Sequence, residues 1–96
     1  MKPCVYIFAS RRNGSLYIGV TTDIRRRVTD HRDGKVPHTR KYRIGRLVYV
    51  EDHQTVEEAI IREKRLKSWK RAWKISLIES VNPDWNDLVG QMWWRD

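Results

Sequence analysis

Residues 4–20 read CVYIFASRRNGSLYIGV, and this stretch decides the fold. Two runs rich in β-branched and aromatic residues, 4–9 and 15–20, flank the dipeptide Asn13-Gly14. An Asn-Gly pair between two such runs is the strongest short-range signal for a β-hairpin. The sequence therefore predicts two antiparallel strands joined by a short connection.

Two tyrosines of this hairpin are predicted to share one face. A two-residue turn pairs Ser10 with Tyr17, whereas a four-residue loop pairs Phe8 with Tyr17. Because side chains alternate along a strand, both registers place Tyr6 and Tyr17 on the same side. Two tyrosines on one face ordinarily pack together. Gly19 lies on that face as well, and a strand-end glycine beside a tyrosine often marks a close approach by another backbone or a ligand.

The rest of the chain predicts an α+β domain in the order β-β-α-β-α-α, a small three-stranded antiparallel sheet flanked by helices. Ninety-six residues suit one domain, so residues 1–96 are expected to form a single unit. N-cap residues mark the helix starts, and Pro83 requires the last helix to end before it. The predicted elements after the hairpin are a helix over about 23–32, a long loop over 33–45, a strand over 46–51, a helix from Thr55 to about Lys67 and a helix capped by Ser68.

An excess of basic residues is the first indication of a partner. Lys and Arg number 20 against 12 Asp and Glu, which leaves a net charge of +8. Eleven basic and three acidic residues lie within residues 10–46. Charge gathered in this way favours a polyanion, most often nucleic acid, although a solvated surface is the alternative. The candidate nucleic-acid contacts are Arg25, Arg26, Lys35, Arg40 and Lys41.

The composition argues against several other classes of protein. The longest apolar run, residues 5–9, is far shorter than the roughly 20 residues that cross a bilayer, so no membrane span is predicted. With 40% hydrophobic residues and five tryptophans, the chain is too apolar for a disordered tail. Cys4 is the only cysteine and no secretory leader is expected, so we predict a cytoplasmic protein.

The helix over 23–32 carries a charged pair beside its apolar side. At 100° per residue, four side chains fall within one arc, namely Ile24, Arg27, Val28 and His31. Arg27 and His31 therefore lie together where the helix packs on the sheet. A half-buried arginine requires an anion, which is either a protein carboxylate or a ligand phosphate. A lone histidine at such a position more often packs or caps.

The second helix carries an acidic residue on its inward side. Glu63 falls within the core-facing arc, where a carboxylate is costly unless it is paired or bound to a cation. One interpretation is a salt bridge to Arg27 or another base. The other is a ligand for a hard divalent ion, since Mg²⁺ takes only one or two protein carboxylates and adds water and phosphate oxygens. The predicted arc consists of Val56, Ala59, Ile60, Leu66 and the stem of Lys67.

Taken together, two phenols, a guanidinium, an imidazole and a carboxylate in a basic domain suit phosphodiester cleavage. That reaction needs a base for water, a cation for the phosphorane charge and a metal ion for the leaving oxygen. The triplet CVY, followed by YIG with Tyr17 eleven residues after Tyr6, resembles the signature of the GIY-YIG nuclease superfamily. Arg27 and His31 follow Tyr17 by ten and fourteen residues, as in members of that family.

The later part of the chain extends the resemblance. Residues 57–79, EEAIIREKRLKSWKRAWKISLIE, and the motif NPDW at 82–85 look like the small single-domain bacterial members. The similarity therefore covers the chain from Pro3 to about Leu88. Cys4 stands where the family has the leading glycine of its first triplet.

The resemblance implies a metal-dependent endonuclease that hydrolyses phosphodiester bonds in DNA, including structured or single-stranded DNA, with one Mg²⁺ or Mn²⁺ ion. The implied roles are general base or water orientation for Tyr6, assistance from Tyr17, phosphate stabilisation by Arg27, proton transfer or positioning by His31 and metal binding by Glu63. Asn82 resembles an accessory polar residue that some members place near the site. Members with defined targets carry added domains, so a protein partner for targeting is a further expectation.

Two other functions are open from the sequence. One is a nucleic-acid-binding module that keeps the fold without cutting, on DNA or RNA. The other is a protein-interaction domain that uses its tryptophans. Trp69 and Trp73, four residues apart, are interpreted as core, with base stacking as the alternative. Trp93 and Trp94 either pack on the domain or mediate dimers, and the oligomeric state is left open.

Overall fold

A three-stranded antiparallel sheet in the order β2-β1-β3 forms the centre of the fold. The computed structural model describes residues 2–37 and 44–90. Their elements are β1 (Cys4–Ala9), β2 (Leu16–Thr21), α1 (Ile24–Arg32), β3 (Arg46–Asp52), α2 (Val56–Ser68) and α3 (Arg71–Val81). The predicted order and the α+β class are confirmed, with boundaries close to the expected ones.

The hairpin adopts the longer of the two predicted connections. Phe8 pairs with Tyr17 and Tyr6 pairs with Gly19, so residues 11–14 form a four-residue loop. Asn13 takes the left-handed conformation at φ 57°, which asparagine tolerates better than most residues. The guanidinium of Arg71, at the start of α3, donates to the carbonyls of Asn13 and Gly14 at 2.7 and 2.6 Å. This tertiary contact anchors the loop.

The central strand β1 is buried along its whole length, because helices cover both faces of the sheet. One face packs against α2 and α3, and the other packs against α1. The side chains of β1 divide between them by alternation, with Val5, Ile7 and Ala9 toward α2 and α3 and with Cys4, Tyr6 and Phe8 toward α1. The tyrosine face is therefore the α1 face.

The inward side of α2 is narrower than the predicted arc. Ala59 and Leu66 are fully buried and lie seven residues apart, on one line along the helix. Val56 and Ile60 are 39% and 36% exposed, so their predicted inward position is wrong. Residues at the margin of an arc reach solvent when the helix contacts the sheet along a single line.

The junction between α2 and α3 corrects two further expectations. Ser68 does not cap α3: it is the last residue of α2, and its hydroxyl donates to the carbonyl of Arg65 at 2.7 Å. The chain turns through an extended Trp69 before α3 starts, with Lys70 at the N-cap position. Trp69 and Trp73 therefore do not share a continuous helix face. Trp69 packs against the core, whereas Trp73 is 54% exposed, so its predicted core position is wrong.

The segment after α3 is tied to the sheet through Asn82. Its side-chain amide donates to the carbonyls of Val48 and Asn86 at 3.0 and 2.9 Å, and its oxygen accepts from the Asn86 amide at 3.0 Å. These three bonds use the amide group structurally, since each holds the tail or β3 in place. Within residues 2–37 and 44–90, no helix has the length and apolar character to span a bilayer.

Candidate active site

The phenol of Tyr6 crosses the neighbouring strand at Gly19. A Cβ built on Gly19 would lie 2.3 Å from the Tyr6 hydroxyl oxygen and 2.5 Å from the Tyr6 Cζ. No real Cβ tolerates such distances, so only glycine lets the ring pass over β2. The close approach expected at Gly19 is therefore made by the side chain of Tyr6, a residue that is only 1% exposed.

Aromatic rings from β1, β2 and α1 surround this phenol. The ring centroids of Tyr6 and Tyr17 lie 6.4 Å apart, and that of His31 lies 5.1 Å from Tyr17. His31 also stacks on Phe8 at 4.2 Å. Ile24, Val28 and His31 are the buried side of α1, and this spacing brings His31 onto the tyrosine face. Tyr17 is only half-buried, so the cluster opens to solvent at β2.

Charges on two helices affect the pKa of the Tyr6 hydroxyl. Burial raises its pKa most, and the charges of Tyr17 and Glu63 raise it further, whereas the charge of Arg27 lowers it. Tyr6 is therefore a neutral phenol at pH 7. Arg27 is on α1 and Glu63 is on α2, so two predicted site residues from different helices both affect the pKa of this hydroxyl.

His31 is buried and neutral. Burial lowers its pKa to about 4, and the Arg27 charge adds to that effect while Asp30 opposes it. Its Nε2 lies 3.5 Å from the Tyr6 hydroxyl oxygen. Its Nδ1 is buried and has no hydrogen-bond partner among the described residues. A buried acceptor without a partner is tolerated better than a buried donor, so the favoured tautomer carries its proton on Nε2, toward Tyr6.

This neutral histidine predicts a loss of stability in acid. The unfolded chain takes up a proton near pH 6.5, whereas folded His31 does so only near pH 4. Stability is therefore lost as pH falls between these values, by on the order of 3 kcal/mol. Urea unfolding across this range should show the decline, and His31→Phe, which keeps a ring beside Phe8, should reduce it. Parallel stability curves for the two proteins would contradict the assignment.

Glu63 points inward, as predicted. Its side chain is 15% exposed, and its Oε2 lies 3.3 Å from the ammonium of Lys67, one turn along α2. The expected salt bridge to Arg27 or another base is thus made with Lys67. The side chain of Lys67 is 55% exposed, and a lysine that reaches back from solvent holds its partner weakly.

Arg27 stands beside a cavity at the start of α1. The cavity has a volume of about 420 Å³ and is lined by Thr21, Thr22, Asp23, Arg26, Arg27 and Asp30. The N-cap Asp23 accepts from the Arg26 amide at 3.1 Å, which aligns the first turn of the helix. Arg27 is half-buried and lines this cavity. Its positive charge also acts to lower the pKa values of Tyr6 and His31.

The other predicted nucleic-acid contacts are distributed around α1. Arg26 is exposed and lines the cavity, and Arg25 is half-buried. Lys35 is 67% exposed along its side chain and lies 4.0 Å from the carboxylate of Asp30. Arg40 and Lys41 lie outside the described residues. Asn82, the predicted accessory residue, has the structural bonds given above.

The number of metal-binding side chains that lie together decides which kind of metal ion a site can hold. Residues 2–37 and 44–90 contain no group of three or more His, Cys, Asp or Glu side chains able to hold an ion. The inward carboxylate of Glu63 fits a hard divalent ion whose other ligands are water and substrate oxygens, which is how Mg²⁺ is commonly held with phosphates. Among the described residues, the donor set around Glu63 therefore fits an ion such as Mg²⁺ or Mn²⁺ that takes most of its ligands from water and substrate.

Sequence analysis missed a hydrogen-bond network that links β3 with α2. The Glu51 carboxylate accepts from Tyr49 at 2.5 Å and from the Arg62 Nε at 2.9 Å, and it lies 2.6 Å from the His53 Nε2. Burial disfavours its charge, but these hydrogen bonds outweigh burial and lower the pKa of Glu51. Through Arg62 the network ties α2 to β3. The signal was the alternation of Tyr49 and Glu51 along β3, continued by His53 just after the strand.

Replacing Glu51 by glutamine is expected to destabilise the fold by about 2 kcal/mol at pH 7, because Arg62 loses its charged acceptor. Since folding lowers the pKa of Glu51 from about 4.5, its contribution is complete above that pH and is lost as pH falls below it. Urea unfolding of the variant and the parent should therefore converge in acid. Glu57→Gln, on the exposed first turn of α2, serves as the control, and an equal loss there would contradict the prediction.

A family model described as the GIY-YIG catalytic domain matches residues 2–76, and the chain belongs to the GIY-YIG family. The UPF0213 protein of Streptococcus pneumoniae serotype 4 is 42% identical over 78 residues, which are 80% of this chain and 78% of that protein. The UPF0213 protein SERP0126 of Staphylococcus epidermidis is 38% identical over 79 residues, 81% of this chain and 95% of that protein.

A solved structure is similar along nearly the whole chain. The solution NMR structure of the UPF0213 protein BH0048 from Bacillus halodurans is 32% identical in sequence and has a TM-score of 0.58. The match covers 93% of this chain and 95% of that one. The predicted family and the predicted fold are confirmed by these likenesses.

Proposed function

We propose that this protein is a metal-dependent endonuclease that hydrolyses phosphodiester bonds in DNA. Its membership of a nuclease-type family supports the reaction class. The observation that carries the proposal is the Tyr6 hydroxyl, which crosses β2 at Gly19 and is acted on by the opposite charges of Arg27 and Glu63. A phenol that feels the charges of both a guanidinium and a carboxylate suits a site that handles a phosphate ester and an attacking water.

Each side chain has a separate task in the proposed reaction. A neutral Tyr6 orients the attacking water by hydrogen bonding, and His31, with its proton on Nε2, supports the Tyr6 oxygen so that the phenol proton points away. Tyr17 assists at the open side of the cluster. Arg27 stabilises the charge of the phosphorane as the new oxygen–phosphorus bond forms and the old one breaks.

Glu63 is proposed to hold the divalent ion, Mg²⁺ or Mn²⁺. When bound, such an ion supplies positive charge that favours ionised oxygens and stabilises the leaving oxygen. In this structure Lys67 pairs with that carboxylate at 3.3 Å, and this ion pair would have to open for Glu63 to hold an ion. The ion, the DNA substrate and the contacts from Arg25, Arg26 and Lys35 are all part of this proposal.

The proposal is tested by cleavage of plasmid, single-stranded and branched DNA in Mg²⁺, in Mn²⁺ and in chelator. Cutting should require the metal. Arg27→Ala should lower the rate by about 100-fold, because the phosphorane loses its fixed cation. Arg11→Ala removes an exposed arginine of the hairpin loop and should cut like the parent. Equal rates for both variants, or cutting in chelator, would refute the assignment.

One observation favours a second function, a nucleic-acid-binding module that does not cut. The Glu63 carboxylate is already paired with Lys67, and a neutral Tyr6 with a raised pKa is a poor base. Binding of DNA or RNA that weakens steeply with salt, without cleavage in either metal, would establish this function. A cytoplasmic location and a protein partner for targeting stay predictions.

A further inference from the structure

A basic surface lies across the junction of α2 and α3. Apart from Lys67, which pairs with Glu63, its residues have no part in the proposed reaction. Residues 64–74, KRLKSWKRAWK, contain six basic residues and no acidic one. We define the junction surface as Lys67, Lys70, Trp73 and Lys74. Of these, Lys67, Lys70 and Trp73 are exposed, and Lys74 is half-buried. Such a concentration of positive charge fits a polyanion.

Trp73 gives this surface a flat aromatic face. Its residue is 54% exposed, which is unusual for a tryptophan in a small domain. Trp69 supports it edge to face, with ring centroids 6.1 Å apart, and the ammonium of Lys70 lies 5.7 Å from the Trp73 ring. A supported indole flanked by cations matches the combination with which proteins bind unpaired bases and their phosphates.

Contacts run from this surface to the candidate active site. The Lys74 ammonium donates to the Lys67 carbonyl at 3.3 Å, and the Lys67 ammonium reaches Glu63 at 3.3 Å. Arg71, two residues before Trp73 in the chain, donates to two carbonyls of the hairpin loop that leads into β2 and Tyr17. The junction surface is therefore connected through Lys67 with Glu63 of the candidate active site.

We propose that the junction surface binds a single-stranded segment of nucleic acid, with one base stacked on Trp73. The inference rests on the proposed function in one respect only, namely that the bound strand is the substrate of the nuclease. In a duplex the base faces are stacked on each other and cannot reach an indole, so the surface selects unpaired bases. DNA and RNA share this chemistry, and the test includes both.

The test measures binding in chelator, so that cleavage plays no part. Fluorescence anisotropy is recorded with labelled oligonucleotides of about 12 nucleotides, as single-stranded DNA, as RNA, as duplex DNA and as an abasic strand. Trp73→Ala should weaken binding of single strands about 10-fold, while duplex and abasic strands change little. Trp73→Phe should restore most of the affinity. Val81→Ala, which truncates a 66% exposed side chain at the end of α3, is the matched control.

The outcomes separate this inference from the proposed function. Unchanged single-strand binding by Trp73→Ala, or an equal loss on duplex and abasic strands, overturns the stacking site, even if the protein cuts DNA. Failure of the parent protein to bind any of the oligonucleotides overturns it as well and directs the surface toward a protein partner. Trp73-dependent binding without cleavage in Mg²⁺ or Mn²⁺ supports the surface and refutes the nuclease proposal.

Discussion

Glu63→Gln is expected to lower metal-dependent DNA cleavage on the order of 1,000-fold while leaving the fold intact. Glutamine keeps the size of the side chain but removes the negative charge that a hard divalent ion needs. The loss of its ion pair costs little stability, because the partner Lys67 is 55% exposed. Initial rates in Mg²⁺ and thermal unfolding of the same preparation measure the two effects.

Metal binding provides a second readout that does not depend on activity. Calorimetric titration of Mn²⁺ into the protein should give a signal that Glu63→Gln abolishes. Glu57→Gln removes an exposed carboxylate from the first turn of the same helix and should retain both binding and cleavage. If Glu63→Gln cuts DNA at the parent rate, the proposed metal site is wrong.

Gly19→Ala is expected to reduce cleavage by about 100-fold, because a small displacement of an aligned group is costly. The added methyl group would meet the Tyr6 hydroxyl oxygen at 2.3 Å, so the phenol has to move. Phe8, Tyr17 and His31 surround the Tyr6 ring, which leaves it little room to retreat. Stability should also fall, by about 2 kcal/mol, as in other overpacked cores.

A double-mutant cycle isolates this contact. In the background of Tyr6→Ala, the ring that the methyl group displaces is gone, so Gly19→Ala should cost much less stability than in the parent. Gly45→Ala is the matched glycine control, because a Cβ there meets no atom within 4 Å. Additive losses in the cycle would show that Gly19 is required for a reason other than the passage of Tyr6.

Much of the candidate site could be predicted because its signals are local. The alternation of strand side chains put Tyr6 and Tyr17 on one face, and the helical period put Arg27 beside His31. The inward position of Glu63 followed from the same rule on α2. These signals come from the regular repeat of a strand or a helix. The repeat tells which side chains share a face but, as Val56 and Ile60 show, not how much of that face is buried.

The errors and omissions came where one element ends or meets another. Trp73 was assigned to the core because Trp69 is four residues before it, but Trp69 lies in the extended junction between α2 and α3 and Trp73 lies on α3, so the two do not share one helix face. The sequence did not identify the ion-pair partner of Glu63 or the network around Glu51, because many charged residues of the chain could pair with either carboxylate. Nothing in the spacing of residues ranks such choices, because they depend on distances through space.

The amino-acid sequence by itself determined the order of strands and helices, the shared face of the two tyrosines and the basic character of the protein, since these follow from backbone geometry and composition. The tertiary structure decided the four-residue hairpin loop, the passage of Tyr6 over Gly19, the pairing of Glu63 with Lys67 and the exposure of Trp73. The physical reason is that packing and ion pairing depend on atoms brought together from distant parts of the chain, and their outcome is settled only when all the elements are in place.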